Sequence, residues 1–530
     1  MRSSSSRVLV LILVAGCALR IVPIWFGLPY SMARPDEETA LGHAVGVMRG
    51  DLNPQFFHWP SLIFYVFGGV FAAVSYVSSL FGGGEPTRET LVLIGRGLVA
   101  LFGTASIYVL YRLTRTFADR STALVAAALF AVAMLHVRES HFAMTDVLMT
   151  LLLLIAVTLI LHIGMRPAAS DGLPRRAVVW SAMAGLIAGL ATSTKYNAAA
   201  IAASMAAVQL VWFAARPRLA LSLRGWLPSL AFALLMVVGF LVATPYAVLD
   251  SPKFVEDFRF NFSHLSEGHA GLDLGRGWYY HLRYSLPHGL GVTAFIAAVI
   301  GLLPFVRRHG RATWILGAFA CGFYVVVGSG YTVFYRYVLP LIPLVCVPAA
   351  IGTRLGAERL QTWLELSPGK ALVVAVTLVV GPGLVHSVWF DAVLSRTDTR
   401  VLAANWLGER VRPDDSLHDA GGNYTRLELG GIDYHPWLFD AAASNFGDPE
   451  GRTPTWLVLY DSPLTAYTPI PPHLRRLTAE RYDLVHQVRA TGSGARRATY
   501  DHQDAFFVPV NGFYTVVRPG PNVKIYRRRD

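Results

Sequence analysis

The sequence predicts an all-α polytopic membrane protein that ends in a small α/β domain. Two observations carry this. The chain has 530 residues, 54% of them hydrophobic and only 15% charged, whereas soluble domains hold closer to a quarter charged residues. Runs such as "VLVLILVAGCALRIVPIWF" and "VLMTLLLLIAVTLILHI" are also long enough to cross a hydrocarbon core of ~30 Å as helices. The formal net charge of +12 then reports basic loops and anionic lipid head groups rather than nucleic acid.

The expected spans are 8–26, 92–111, 122–136, 146–164, 178–193, 197–214, 227–247, 288–305, 313–331, 335–353 and 370–390, about eleven in all. "LVAGC", ending at Cys17, resembles a lipoprotein cleavage box. The apolar run continues through Phe26, so an uncleaved first span is the better reading. Short loops between later spans carry Arg112, Arg115 and Arg120; Arg166, Arg175 and Arg176; Arg216, Arg218 and Arg224; Arg307, Arg308 and Arg311; and Arg354, Arg359 and Lys370. With the N-terminus cytoplasmic, all of them fall on the cytoplasmic side, as the positive-inside bias requires. This holds only if 61–81, "SLIFYVFGGVFAAVSYVSSLF", lies in the outer leaflet as a flat helix. A twelve-span alternative has it cross.

Residues 1–390 are thus expected to form the membrane module. Residues 391–530 are turn-rich ("RPDDS", "DAGGNY") and form a separate domain on the outer side. "TWLVLY" is its strand signal and "TRVLAANWLGERV" its entering amphipathic helix. Cys17, Cys321 and Cys346 lie in apolar runs, so no disulfide framework or thiolate metal site is offered.

Polar chemistry collects at the outer rim. "ARPDEETALG" places Asp36, Glu37 and Glu38 just after the first span. Acids there can simply complement a helix N-terminus. Desolvation at the membrane edge also makes a carboxylate a better proton acceptor, so Asp36 is the candidate general base. Asp146 opens the long run after "HVRESHFAMT", with Arg138, Glu139 and His141 beside it; it is expected to face Asp36 across a cleft. His141 and Asp146, together with Asp36, offer a weak divalent-metal set. Lys195, alone in "ATSTKYNAAA", and Arg336, in "FYRYVLPLIP", are outer-side cations that ask for an anionic partner. Loop 248–287 adds Lys253, Arg259, Arg276, His281 and Arg283, while its Trp278, Tyr279 and Tyr280 suit either a sugar site or an interface anchor. Cations facing acids in one outward, lipid-flanked pocket suit a membrane-borne phosphate leaving group. The rival class, a lipid flippase or an ion-coupled transporter working through Asp36 and Asp146, calls for inverted repeats and broken helices near the midplane.

In order, "RPDEETALGHAVGVMRGDLNP", "FHWPSLIFYVF", the stretch from "GRGLVALFG" to "MTDVLMTLLLLIA", and "GLIAGLATSTKYNAAAIA" resemble the GT-C glycosyltransferases of the protein O-mannosyltransferase and aminoarabinose-transferase type (glycosyltransferase family 39-like). The resemblance covers roughly 8–215, and "YRYVLPLIPLV" fits in kind. It implies a GT-C fold with flat helices in the first external loop and a polyprenyl-phosphate-sugar donor. The acceptor is then a hydroxyl on a glycan, lipid or protein at the outer face of the membrane, and no cofactor is required; the cysteine-free outer parts and the Arg/Ala/Leu-rich composition suggest a bacterial plasma membrane. It places the catalytic acid on Asp36, completes the acid pair with Glu37, and puts the second-loop acid on Asp146. The carrier-phosphate lysine falls on Lys195, with Arg336 and Arg259 as further phosphate ligands. His58, His141, Tyr279 and Tyr280 are the candidate acceptor or sugar contacts. Where many members carry His-Pro-Pro or Lys-Pro-Pro, this chain has His58-Trp59-Pro60-Ser61.

Overall fold

A computed structural model describes residues 2–166, 175–269, 272–440, 442–448, 450–492 and 498–529. The chain is a multi-pass membrane protein, divided into two units. One comprises 1–24, 39–269 and 273–388; the other comprises 25–38, 270–272 and 389–530.

In the first unit every expected span contains a helix. Among the described residues eight helices are long and apolar enough to cross a membrane, or nine if the bent pair Gly277–Leu290 and Val292–Arg308 is one span. Leu62–Leu80 is one of the eight, while Arg120–Ala131 and Arg176–Thr192 are shorter apolar helices. The opening helix ends at Ile21, before Phe26.

The expected span 122–136 breaks after Ala131 for an identifiable reason. Asp119 caps the helix Arg120–Ala131 by accepting the Thr122 N–H at 2.8 Å, which is how an N-terminal orphan donor is satisfied. At the other end, the buried Arg20 guanidinium donates to the carbonyls of Ala131 (2.9 Å) and Phe130 (3.2 Å) and lies 3.0 Å from His136 Nδ1. The orphan carbonyls of that helix end are therefore met by a side chain from the first helix. The chain then restarts as the short buried helix Met134–Glu139.

Helix pairs close through glycine, as expected where lipid removes any hydrophobic drive between helices. A Cβ on Gly301 would stand 1.9 Å from the Pro348 carbonyl oxygen, and one on Gly352 1.9 Å from that of Ala297. The helices Val292–Arg308 and Ile342–Trp363 thus meet backbone to backbone. Gly301→Ala is expected to cost about 1–3 kcal/mol by overpacking, read as a lower unfolding temperature in detergent.

The second unit carries a five-stranded sheet. Its strands are β1 (Ser416–Asp419), β2 (His435–Pro436), β3 (Trp456–Asp461), β4 (Tyr482–Val488) and β5 (Asn522–Arg528), in the order β2-β1-β3-β5-β4. β1 is parallel to β2 and β3, while β5 runs antiparallel to β3 and β4. The two-residue alternation of a strand divides β3 between two cores. Trp456, Val458 and Tyr460 pack with Ala403 and Leu407 of the helix Thr399–Gly408. Leu457 and Leu459 pack with Leu474 of the helix Pro472–Arg481. The sequence-predicted strand and entering helix are both present.

Candidate active site

Lys195 stands in the turn between the helix Arg175–Thr192 and the 3₁₀ turn Tyr196–Ile201. The turn is tied down on every side. Ser193 Oγ lies 2.5 Å from Thr244 Oγ1, and the Ser193 carbonyl accepts the Leu62 N–H at 3.0 Å. Thr194 Oγ1 donates to the Ala191 carbonyl at 2.6 Å, and the Tyr196 hydroxyl donates to the Phe57 carbonyl at 2.8 Å. The first-loop helix Leu62–Leu80 therefore begins against the lysine turn.

The Lys195 side chain is 15% exposed, and its Nζ donates to Asp146 Oδ1 at 2.6 Å. Asp146 is the first residue of the helix Asp146–Gly164 and is 1% exposed. A carboxylate there is favoured by the positive end of the helix. Lys195 Nζ also lies 5.3 Å from the centre of the Tyr337 ring, a cation–π distance. Burial lowers the Lys195 ammonium below its ordinary range; the Asp146 charge opposes this, the Arg336 charge adds to it, and Glu139 opposes it. Arg336, buried in the 3₁₀ segment Tyr335–Leu341, stacks 4.1 Å over the Phe334 ring. Glu139 is buried and pairs with buried Arg138. The cluster therefore joins two carboxylates to lysine and arginine where water is scarce. Charges so placed survive only when paired, and an anion arriving there would find strong, desolvated partners.

The acids of 33–42 begin in the second unit. Asp36 is half-buried at φ 69°, and Glu37 is buried at the start of the helix Glu37–Met48. Burial first, then the Asp36 and Glu37 charges, raises the Glu38 carboxyl. Burial first, then Asp36 and Glu38, raises the Tyr424 hydroxyl of the same unit.

The other candidates are placed as follows. His58 is part-exposed, edge-on to the Phe260 ring with centroids 4.5 Å apart, and its Nε2 lies 3.9 Å from Asp257 Oδ1. Arg259 is exposed on the helix Ser251–Glu267. Tyr279 is exposed, whereas Tyr280 is buried with its ring 5.8 Å from that of Tyr335. His141 is fully buried, Nδ1 2.9 Å from the Val137 carbonyl oxygen and Nε2 3.1 Å from that of Val22. Two backbone carbonyls therefore face the His141 ring, and its single neutral N–H can serve one of them. Among the described residues no three His, Cys, Asp or Glu side chains are grouped to hold a metal ion.

Glu139 enters the cluster although the sequence marked it only as a neighbour of Asp146. Its signal was a second acid in "RESHFAMTD".

Residues 90–242 match the family model described as dolichyl-phosphate-mannose-protein mannosyltransferase. The chain aligns with the apo crystal structure of the Archaeoglobus fulgidus oligosaccharyltransferase at TM-score 0.55 and 12% identity, over 99% of this chain and 88% of that one. It aligns with ArnT from Cupriavidus metallidurans bound to undecaprenyl phosphate at TM-score 0.53 and 15% identity, over 99% and 97%. The fold is GT-C. A third GT-C structure, the archaeal oligosaccharyltransferase AglB from Archaeoglobus fulgidus with an inhibitory peptide and a dolichol-phosphate, matches at TM-score 0.50 and 14% identity, over 77% of this chain and 58% of that one. The chain thus spans little more than half the length of that AglB chain. No curated protein matches its sequence.

Proposed function

We propose that this chain is a membrane glycosyltransferase that moves a hexosyl or pentosyl group from a polyprenyl-phosphate donor to an acceptor hydroxyl. The buried Asp146–Lys195 pair under the influence of Arg336, on a GT-C fold, is the observation that carries the reading. Support also comes from the two neighbours whose structures hold undecaprenyl phosphate and dolichol-phosphate. The basic loops support a cytoplasmic N-terminus and a reaction on the outer face of the membrane.

The chemistry follows from charge. The acceptor oxygen attacks the anomeric carbon and gives its proton to the Asp36 carboxylate. The bond from that carbon to the phosphate oxygen breaks, and its electron pair leaves with the polyprenyl phosphate. Lys195 and Arg336 hold the charge that grows there, with Arg259 as an outer phosphate ligand. Asp146 keeps Lys195 protonated and aimed, and Glu37 completes the acid pair. His58, Tyr279 and Tyr280 contact the sugar or the acceptor. The acceptor is a glycan, a lipid or a protein side chain, and no cofactor is required.

The test is the purified chain with a panel of radiolabelled polyprenyl-phosphate sugars. Release or transfer of one sugar is expected; inertness toward every donor overturns the reading. Lys195→Ala is expected to weaken donor binding about 10- to 100-fold, the worth of one charge-assisted hydrogen bond. Equilibrium binding of the accepted donor measures it, and an unchanged affinity removes Lys195 from the phosphate site.

A further inference from the structure

The stretch carrying Asp36 is held by residues from the far end of the chain. Residues 25–38 belong to one unit with 389–530. The Tyr30 hydroxyl donates to the Arg426 carbonyl at 2.9 Å, and the Ser31 N–H to Glu428 Oε1 at 2.8 Å. The decisive tie is Arg34. It is fully buried, with Nη1 2.8 Å from Oδ1 of buried Asp504, and its guanidinium lies 5.6 Å from the Phe506 ring centre.

Burying two charges is a poor way to gain stability, since desolvation consumes most of their attraction. Such a pair does oppose any arrangement that separates its partners, because each charge would then be buried alone. Two residues beyond Arg34, Asp36 holds φ 69°. Asp tolerates that left-handed conformation better than most L-residues, so a firm anchor two residues away suffices to hold it.

We propose that Asp504 is a positioning residue: through Arg34 it fixes the backbone of 34–36, so that Asp36 presents its carboxylate in one orientation. The C-terminal domain is then a working part of the enzyme. This rests on the reading of Asp36 as the base.

Asp504→Asn in the full-length chain tests it, by two measurements. Hydrogen exchange of the amides in 31–38 is expected to quicken at least about tenfold, with β3 and β5 unchanged, because local opening is what exchange reports. Turnover of the donor accepted from the panel is expected to fall at least about tenfold at unchanged KM, the signature of an interaction that acts on the chemical step. Asp504→Glu, which keeps the charge, is expected to recover most of both. The control is Tyr482→Phe, which removes a buried hydrogen bond to the Pro454 carbonyl (2.5 Å) in the same domain and is expected to alter neither. Slow exchange at 31–38 in Asp504→Asn, or undiminished kcat, overturns the proposal, as does a loss that Tyr482→Phe reproduces. If Asp504→Asn yields no folded chain, Arg34→Lys, which keeps the charge but loses the planar fork, is expected to show both changes; wild-type values in it overturn the proposal. Undiminished turnover in Asp36→Asn would instead remove the base and leave the exchange result standing.

Discussion

Asp36→Asn is expected to cut sugar transfer by about 10²- to 10⁴-fold, the worth of general-base catalysis, while folding and donor binding stay as they are. The choice of asparagine matters. Asp36 sits at φ 69°, and Asn shares with Asp the short polar side chain that tolerates the left-handed region. The substitution therefore removes proton affinity without adding backbone strain, whereas Asp36→Ala would confound the two. Initial rates with the accepted donor, measured beside equilibrium donor binding, separate the outcomes. Normal turnover in Asp36→Asn would sink the assignment.

The helices were legible in the sequence because an apolar run long enough for a bilayer admits few other structures. Composition could not show where such a run breaks. Residues 122–136 are apolar throughout except for Thr122 and His136, yet the helix stops at Ala131, where Arg20 binds its last carbonyls. Partner choice was equally hidden. Asp146 and Lys195 stood out as charges at span ends, and Arg336 as a cation between tyrosines, but sequence logic paired Asp146 with Asp36 and left Lys195 waiting for a lipid. The structure pairs Asp146 with Lys195, and periodicity, which reports a residue's face, carries no information about a partner on another helix.

The C-terminal unit teaches the same lesson. A shift in composition near 390 marks where the chain leaves the membrane module. It cannot reveal that 25–38 returns to that unit, because the decisive tie is a buried pair, Arg34 with Asp504, whose halves stand in "ARPDEE" and "DHQDAFF". A buried arginine leaves no periodic trace. The only sequence signal was an unpaired-looking charge set among aromatic or apolar residues.

Asp146→Leu is expected to destabilise the chain by about 3–5 kcal/mol, the penalty for stranding one member of a buried ion pair. Lys195, 15% exposed, would keep its desolvation and its repulsion from Arg336 and lose its main opposing charge. The double variant Asp146→Leu/Lys195→Met is expected to recover most of that loss, because two apolar groups of similar volume strand nothing. Thermal unfolding of the four members of this cycle in one detergent gives the coupling. Additive losses would mean that the two side chains do not act as a pair. Asp146→Asn tests the same contact in function. Asp146 opposes the lowering that burial and Arg336 impose on Lys195, so its neutralisation lets the ammonium lose its proton at a lower pH. Donor affinity in Asp146→Asn is therefore expected to fall as pH rises, and to do so at lower pH than in the unaltered chain. Coincident pH profiles would show that Asp146 does not govern the charge that meets the phosphate.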